Sequence, residues 1–376
     1  MGHAIAQVAL LAGFEKVILN DIKIESLNNA AIKIEIGLKK LESKGKLDEG
    51  VSVDALMSRL VKEVDLAKAV AEADFVIEAV PEVMKIKQEV SKKIGEYAPK
   101  NVILATNTST MSITKLGEAS GRPEKVIGMH FFIPLLMKLI EITKGEKTSD
   151  ETMNIAAAIG QKLPCIKGKR FIVRIEKETP GFIVNRVNLP VHIYFNWLFD
   201  QAAEKSIPLE QIDADARPIM SVGPCEVCDY IGLDICYDIM KYFEETISSD
   251  FKPGKVLTEL YNEKNLGRKT GKGLLKWSGE KAIVNLDKKA GMFKPELALA
   301  IQLNEGCRLL EEDIVSGYKT IDDAILGGLG IPGPFVPGKR NYQRWAKILE
   351  ELAEKSGKDY LKPCELMKSG GFLKFR

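Results

Sequence analysis

His130 and Glu141 are the residues best placed to do chemistry. They lie in the segment from Lys125 to Thr143, where an apolar run ends on His130, the chain turns at Pro134, and a second apolar run carries Glu141. The chain has three histidines, His3, His130 and His192, and only His130 has an orienting acid at hairpin distance. Taking a hydride from a secondary alcohol requires a base for the hydroxyl proton. Imidazole, with a reference pKa near ~6.5, suits that task. A buried carboxylate stabilises the imidazolium and fixes its tautomer. An offset of eleven residues around a proline turn places both groups across one hairpin. The competing reading is a buried, satisfied histidine beside an unrelated acid.

A dinucleotide site needs a glycine-rich turn, a helix N-terminus for the pyrophosphate, and an acid about 20 residues on for the ribose hydroxyls. Gly2 opens a helix and Asp21 ends the next strand, 19 positions later. That spacing matches the last glycine of such a motif and its acid, and a carboxylate favours NAD over NADP. The earlier glycines and the strand before them would precede Gly2 in the motif, so the expectation is that this sequence starts inside it. The expectation is weak NAD affinity and an unstable sheet edge for this polypeptide, which a tight measured NAD affinity would overturn. Ala79-Val80-Pro81-Glu82 and Asn107-Thr108-Ser109 follow the carboxyl ends of strands, where ligands bind in open α/β folds. They are also plausible N-caps of the helices that follow.

The elements that must position these groups alternate. Val17–Asp21, Phe75–Val80, Val102–Thr106 and Val126–Phe132 read as buried strands. Gly2–Leu11, Ile22–Lys46 and Val83–Tyr97 read as helices. Continuous β-branched runs between amphipathic helices predict an α/β fold of the doubly wound, Rossmann type, with its first strand apparently missing. After Thr179-Pro180-Gly181 strand signals nearly vanish and the chain reads as all-α. This half looks repeated. A long helix, a segment beginning Ile-Asp, and a Gly-Pro turn occur at Val184–Lys205, Ile212-Asp213 and Gly223-Pro224, and again at Pro295–Ser316, Ile321-Asp322 and Gly333-Pro334. The expected divisions are 1–178, 179–285 and 286–376.

At 376 residues the chain is long enough for two or three cores. Its net charge of +2 gives no field for nucleic acid. No apolar run approaches the ~18 residues of a membrane span. Six cysteines form no framework, and the single Cys225-x-x-Cys228 reads as small apolar residues on a buried helix rather than a zinc ribbon. No metal is expected, and the setting reads as reducing and cytoplasmic.

Phe131-Phe132, Pro134, Met137-Lys138, Glu141, Asn107-Thr108-Ser109, Pro180-Gly181-Phe182-Ile183-Val184-Asn185-Arg186 and the stretch Gly223 to Asp234 together resemble the L-3-hydroxyacyl-CoA dehydrogenase family. The resemblance covers essentially the whole chain. It implies a Rossmann domain followed by all-α modules of the 6-phosphogluconate dehydrogenase C-terminal type. It implies NAD-dependent oxidation of L-3-hydroxyacyl-CoA in fatty-acid β-oxidation, and a homodimer or a pseudo-dimeric repeat within the chain. His130 matches the family's base, Glu141 its partner, Ser109 its substrate-hydroxyl contact, and Asn185 the amide that orients the substrate. Gly2, Asp21, Ala79, Glu82, Lys87 and Asn107 fall where the family contacts NAD. Lys39, Lys40, Lys44 and Lys46 lie where its helical tail meets the CoA phosphates, although a solvated helix face explains them equally well. Longer members carry an enoyl-CoA hydratase domain, and no hydratase activity is expected from this chain.

One departure stands inside the hairpin. The family writes His-Phe-Phe-Asn-Pro, and this chain has Ile133 in place of the asparagine. An apolar side chain there removes a hydrogen-bonding group near the reacting carbons, so weaker activity or altered substrate choice is expected. Two rival readings remain: a dehydrogenase of free hydroxy or sugar acids, and a non-catalytic partner.

Overall fold

The computed structural model describes every residue except Ile219 and Leu286, the second of which is the expected start of the third segment. Contacts divide the chain into two compact units. One holds Met1–Val184, Asp313–Val315 and Thr320–Gly333; the other holds Asn185–Glu312, Ser316–Lys319 and Pro334–Arg376. The helical segments expected at 179–285 and 286–376 both fall largely within the second unit.

The first unit begins with α1 (Gly2–Leu11), β1 (Val17–Asn20), α2 (Ile24–Glu42), α3 (Val53–Met57), β2 (Leu60–Glu63) and α4 (Leu66–Val70). It continues with β3 (Phe75–Glu78), α5 (Met84–Tyr97), β4 (Ile103–Thr106), α6 (Ile113–Ser120), β5 (Val126–Phe131), β6 (Leu139–Lys144), α7 (Asp150–Lys162) and β7 (Phe171–Ile175). The helices alternate with strands as the sequence pattern predicts, and the strands run as a Rossmann-like parallel sheet apart from one hairpin. β3, β4 and β5 are parallel neighbours; β6 is antiparallel to β5 and parallel to β7. β1 and β2 form a separate parallel pair, so the expected sheet is in two pieces. β2 escaped the sequence reading because Leu-Val-Lys-Glu is half exposed and carries no continuous apolar run.

Helix α1 joins the two pieces. Ile5 and Val8 pack with Ile103, Ile127 and Ile140 on the five-stranded sheet, while Ala6 and Leu10 pack with Ile34, Leu38 and Leu56 beside the smaller one. Residues one to four positions apart divide between two faces because the helix turns every 3.6 residues.

Beyond β7 the chain is mostly helical: α8 (Val184–Asn188), α9 (Val191–Glu204), α10 (Glu210–Ala216), α11 (Pro224–Ile231), α12 (Leu233–Thr246), α13 (Lys255–Asn262), α14 (Pro295–Glu311), α15 (Tyr318–Leu329), α16 (Phe335–Ser356) and α17 (Glu365–Ser369). One short hairpin, β8 (Lys276–Ser278) with β9 (Lys281–Ile283), departs from the all-α expectation. Most of α15 belongs to the first unit. There Gly327 and Gly328 face Leu139 and Phe132 closely, and the Gly327 carbonyl accepts from Lys138 N.

Corresponding contacts recur along the helical half. Asn196 on α9 accepts from Gly254 N, the N-cap of α13; Asn304 on α14 accepts from Cys364 N, the N-cap of α17. Asp213 lies tight against Gly223, and Asp322 against Gly333. Asp229 is buried and accepts from Leu274 N, Leu275 N and Trp277 Nε1, which pins the tail of the first segment. Glu305 is buried too, and accepts from Arg186, Arg308 and the Tyr360 hydroxyl. Removing it leaves two cations without their buried acceptor. Glu305→Ala should therefore cost about 3–5 kcal/mol, seen as a fall in the urea midpoint. Glu305→Gln, which keeps an acceptor oxygen, should cost clearly less.

Candidate active site

β5 and β6 pair so that His130 stands directly opposite Glu141. His130 Nδ1 lies 2.7 Å from Glu141 Oε2, and both side chains are buried. The other carboxylate oxygen, Oε1, accepts from Ile183 N at 3.1 Å and Val184 N at 3.0 Å. A carboxylate held this way is an acceptor on both oxygens. It directs the Nδ1 proton of His130 toward itself and leaves Nε2 to accept another. The imidazole lies between Phe132, at 4.7 Å between ring centroids, and Phe182, at 5.8 Å.

The Pro180-Gly181 pair explains how those amides reach Glu141. Phe182 N donates to Thr179 O, closing a turn with proline second and glycine third. Gly181 has φ of 83°, the left-handed value that the third position of a type II turn demands. Phe182 follows at φ 54°, uncommon for a bulky side chain, and is fully packed against the histidine. The turn delivers the chain so that the first amides around α8 point at the acid.

A second cluster forms at the carboxyl ends of β3 and β4. Glu82 accepts from Thr108 Oγ1 at 2.6 Å, from Ser109 N at 2.7 Å and from Ser109 Oγ at 3.2 Å. Lys87 Nζ lies 3.2 Å from Glu82 and 3.0 Å from Glu78. Glu78 also accepts from Thr106 Oγ1 and Val80 N. Burial alone would raise the Glu82 carboxyl, but the Lys87 ammonium and the Thr108 and Ser109 donors outweigh it and hold its pKa below the ordinary carboxylate value. Asn107 ties the strands together: its N–H donates to Glu78 O, and its Oδ1 accepts from Phe131 N, next to His130.

These contacts bear on the alternative readings. Ser112 caps α6, assisted by Glu178, and the N-cap of α5 is Val83 with no side-chain bond. Neither Ser109 nor Glu82 is a helix cap. Lys87 is only 1% exposed and committed to Glu78, Glu82 and the Val80 carbonyl, so it acts on Glu82 rather than facing open solvent. Gly2 and Ala79 face each other, with 3.9 Å between the Ala79 methyl and a Cβ built on Gly2. Asp21 follows β1, with Oδ1 accepting from Lys23 N. Asn185 lies in α8 at the start of the second unit. Lys39, Lys40, Lys44 and Lys46 are exposed at and beyond the end of α2, and Lys39 pairs with Glu35. Ile133 is 56% exposed on the turn after the histidine.

The start of α1 suits a dinucleotide's pyrophosphate. The helix carries no acid in its first turn, and its first intrahelical bonds come from Ala4 N and Ile5 N. The amides before them therefore point out of the helix end, where the dipole favours an anion.

Arg170 was not foreseen. It is buried and donates to the carbonyls of Pro134, Met137, Leu163 and Pro164, which fixes the turn joining β5 to β6. No local pattern marks it, since its partners lie up to 36 residues away.

Residues 1–174 match the profile of the 3-hydroxyacyl-CoA dehydrogenase NAD binding domain, and residues 181–277 match that family's C-terminal domain. A probable 3-hydroxybutyryl-CoA dehydrogenase of Deinococcus radiodurans is 37% identical over 281 residues, covering 74% of this chain and 96% of the relative. The fatty acid oxidation complex subunit alpha of Vibrio campbellii is 30% identical over 97% of this chain, which spans 53% of that longer protein. The crystal structure of 3-hydroxybutyryl-CoA dehydrogenase from Escherichia coli superimposes with a TM-score of 0.81 at 27% identity, covering 99% of this chain and 96% of that one.

The Glu82 cluster sets an acid limit. A carboxyl whose folded pKa is depressed contributes stability above its unfolded value, and loses it as pH falls through the folded one. An ordinary glutamate carboxyl titrates near ~4.3. Unfolding midpoints measured below that pH should fall less steeply in Glu82→Gln than in the unaltered protein. Equal slopes would show that the cluster does not hold the carboxylate.

Proposed function

The chain belongs to the 3-hydroxyacyl-CoA dehydrogenase family, and from that premise we propose that it oxidises L-3-hydroxyacyl-CoA to 3-oxoacyl-CoA, reversibly, with NAD as cofactor. The observation that carries the reading is the His130–Glu141 pair. Glu141 is satisfied on one oxygen by two backbone amides, so its other oxygen is free to hold the imidazole in one tautomer.

His130 Nε2 takes the hydroxyl proton as the alcohol is oxidised and returns it in reduction. Glu141 stabilises the imidazolium formed between those events. Phe132 and Phe182 exclude water from the ring faces. NAD, when bound, supplies the hydride acceptor for C3. Gly2 and the amides at the start of α1 hold its pyrophosphate, Asp21 its adenosine ribose, and Ala79, Glu82 and Asn107 its nicotinamide half. Lys87 positions Glu82. Ser109 contacts the substrate hydroxyl, and Asn185 orients the thioester carbonyl. Lys39 and Lys44 meet the CoA phosphates. These assignments follow the family motif residue by residue, and the hydrogen bonds of His130, Glu141, Glu82, Ser109 and Asn107 support those five.

Short-chain acyl-CoA metabolism is the setting we favour, in the cytoplasm. No helix is long and apolar enough to cross a membrane among the described residues. The free cysteines fit a reducing compartment. Exposed Tyr230, Ile231 and Ile235 on α11 and α12 offer a face for a homodimer. The matching contacts of Asn196 and Asn304 favour a duplicated helical module, which makes a pseudo-dimer within one chain the alternative.

Acetoacetyl-CoA reduction by NADH tests the reading. His130→Gln should lower kcat by about 10²–10⁴-fold with the fold intact, and undiminished activity would falsify the assignment. 3-Hydroxybutyryl-CoA should be oxidised far better than free 3-hydroxybutyrate; the reverse preference would favour the free-acid reading. Ile133→Asn should raise kcat by about tenfold or more if an amide there stabilises developing charge.

A further inference from the structure

His192 on α9, Cys228 on α11 and Cys236 on α12 converge inside the second unit, and none of them is among the residues assigned above. All three are buried, and their ligand atoms lie within 4.8 Å of one another. His192 Nδ1 is 3.8 Å from Cys228 Sγ. A cation about 2.3 Å from sulfur and about 2.1 Å from nitrogen, subtending roughly 110–120°, separates the two by about 3.6–3.8 Å. The protein atoms thus stand at nearly the separation that coordination sets.

Cys225 and Cys228 are buried on one helix, as the sequence suggests, and they do not act as a pair. Cys225 Sγ turns to the Leu209 carbonyl, and Cys228 instead meets residues of two other helices. The cluster is also not required by the helical scaffold. Counting from Asn196 and Asn304, His192 corresponds to Ala300. Counting from Gly223 and Gly333, Cys228 and Cys236 correspond to Gly338 and Ala346. All three polar positions become small together, and α14 and α16 pack directly there, with Gly338 against Leu303. Packing alone is therefore met by small residues. The contacts the three groups make among themselves are weak: Cys236 Sγ donates to the Cys228 carbonyl at 3.7 Å, and His192 Nδ1 meets only a thiol.

We propose that His192 Nδ1, Cys228 Sγ and Cys236 Sγ form a structural binding site for a thiophilic d10 cation, zinc(II) or copper(I). Soft thiolates with one imidazole select such ions over magnesium or calcium. Two thiolates bring two negative charges into a buried site, which zinc(II) neutralises and copper(I) halves. Binding exchanges two thiol protons for one cation, with no change of oxidation state. Because the ligands come from three helices, the ion is loaded as they close during folding.

The test uses the full chain, unfolded with reductant and chelator and then refolded in metal-free buffer, with zinc(II), with reduced copper(I), or with magnesium(II). After desalting, about one zinc or one copper per chain is expected, and no magnesium. The loaded form should unfold several degrees higher than the metal-free form, and whichever ion gives the larger shift is the resident one. Cobalt(II) refolding should add a thiolate-to-metal charge-transfer band. Cys228→Ala with Cys236→Ala should lose the ion, the band and the shift together, while far-ultraviolet circular dichroism reports whether the variant folds. If it does not fold, the unaltered chain decides. Retention of less than about a tenth of an equivalent of either ion, with unchanged midpoint, overturns the site. So does equal retention by a folded variant. None of these readouts depends on the dehydrogenase reading.

Discussion

A carboxylate cannot be buried without donors on both of its oxygens, and Glu141 is completely buried. That requirement organises the first unit around the hairpin. One oxygen takes the His130 ring, which fixes the β5–β6 register, since a slip of one residue would turn the two side chains to opposite faces. The other oxygen takes two amides from a chain segment 42 and 43 residues further on. Those amides arrive only because Pro180 and Gly181 bend the backbone there. Arg170 then secures the loop between the strands by filling four carbonyls at once. Sheet register, turn type and loop anchoring are thus consequences of keeping one acid satisfied.

The strand ends obey a related constraint. Glu78, Lys87 and Glu82 form an alternating line of charge whose inner members are fully buried, and Thr106, Thr108 and Ser109 supply the remaining donors. Asn107 bonds to β3 on one side and to β5 on the other. The polar groups around the expected cofactor pocket are therefore held by one another before any ligand arrives, which reduces the ordering that binding must impose.

Much of this was legible in the chain. The imidazole and its acid follow from scarcity and spacing: one histidine has an acid across a proline turn. The strands β3, β4 and β5 are continuous apolar runs, and periodicity reveals them. Pro180-Gly181 declares its turn because few other residues adopt that geometry. What stayed hidden depends on distant partners. Arg170 and Glu178 look like ordinary surface charges until the fold brings carbonyls and amides to them. β2 is too polar on its exposed side to signal a strand. Lys87 matched a motif, yet only the structure shows its ammonium enclosed. Cys225-x-x-Cys228 was visible, but the residues that meet Cys228 lie on other helices, one of them 36 positions away.

The membership of α15 carries a consequence for how the chain is made. Asp313–Val315 and Thr320–Gly333 belong with the first unit, and Gly327 bonds to Lys138 on the loop that follows the histidine. A ribosome releases the chain from its N-terminal end, so the first unit waits for segments that follow the whole of Asn185–Glu312. Until they emerge, the close-fitting surface at Leu139 and Phe132 stays open to water and to other nascent chains. The first unit therefore cannot complete its packing until those later segments have been made. A protease nick near residue 184 would likewise leave the N-terminal fragment without the part of its packing that Asp313–Val315 and Thr320–Gly333 supply.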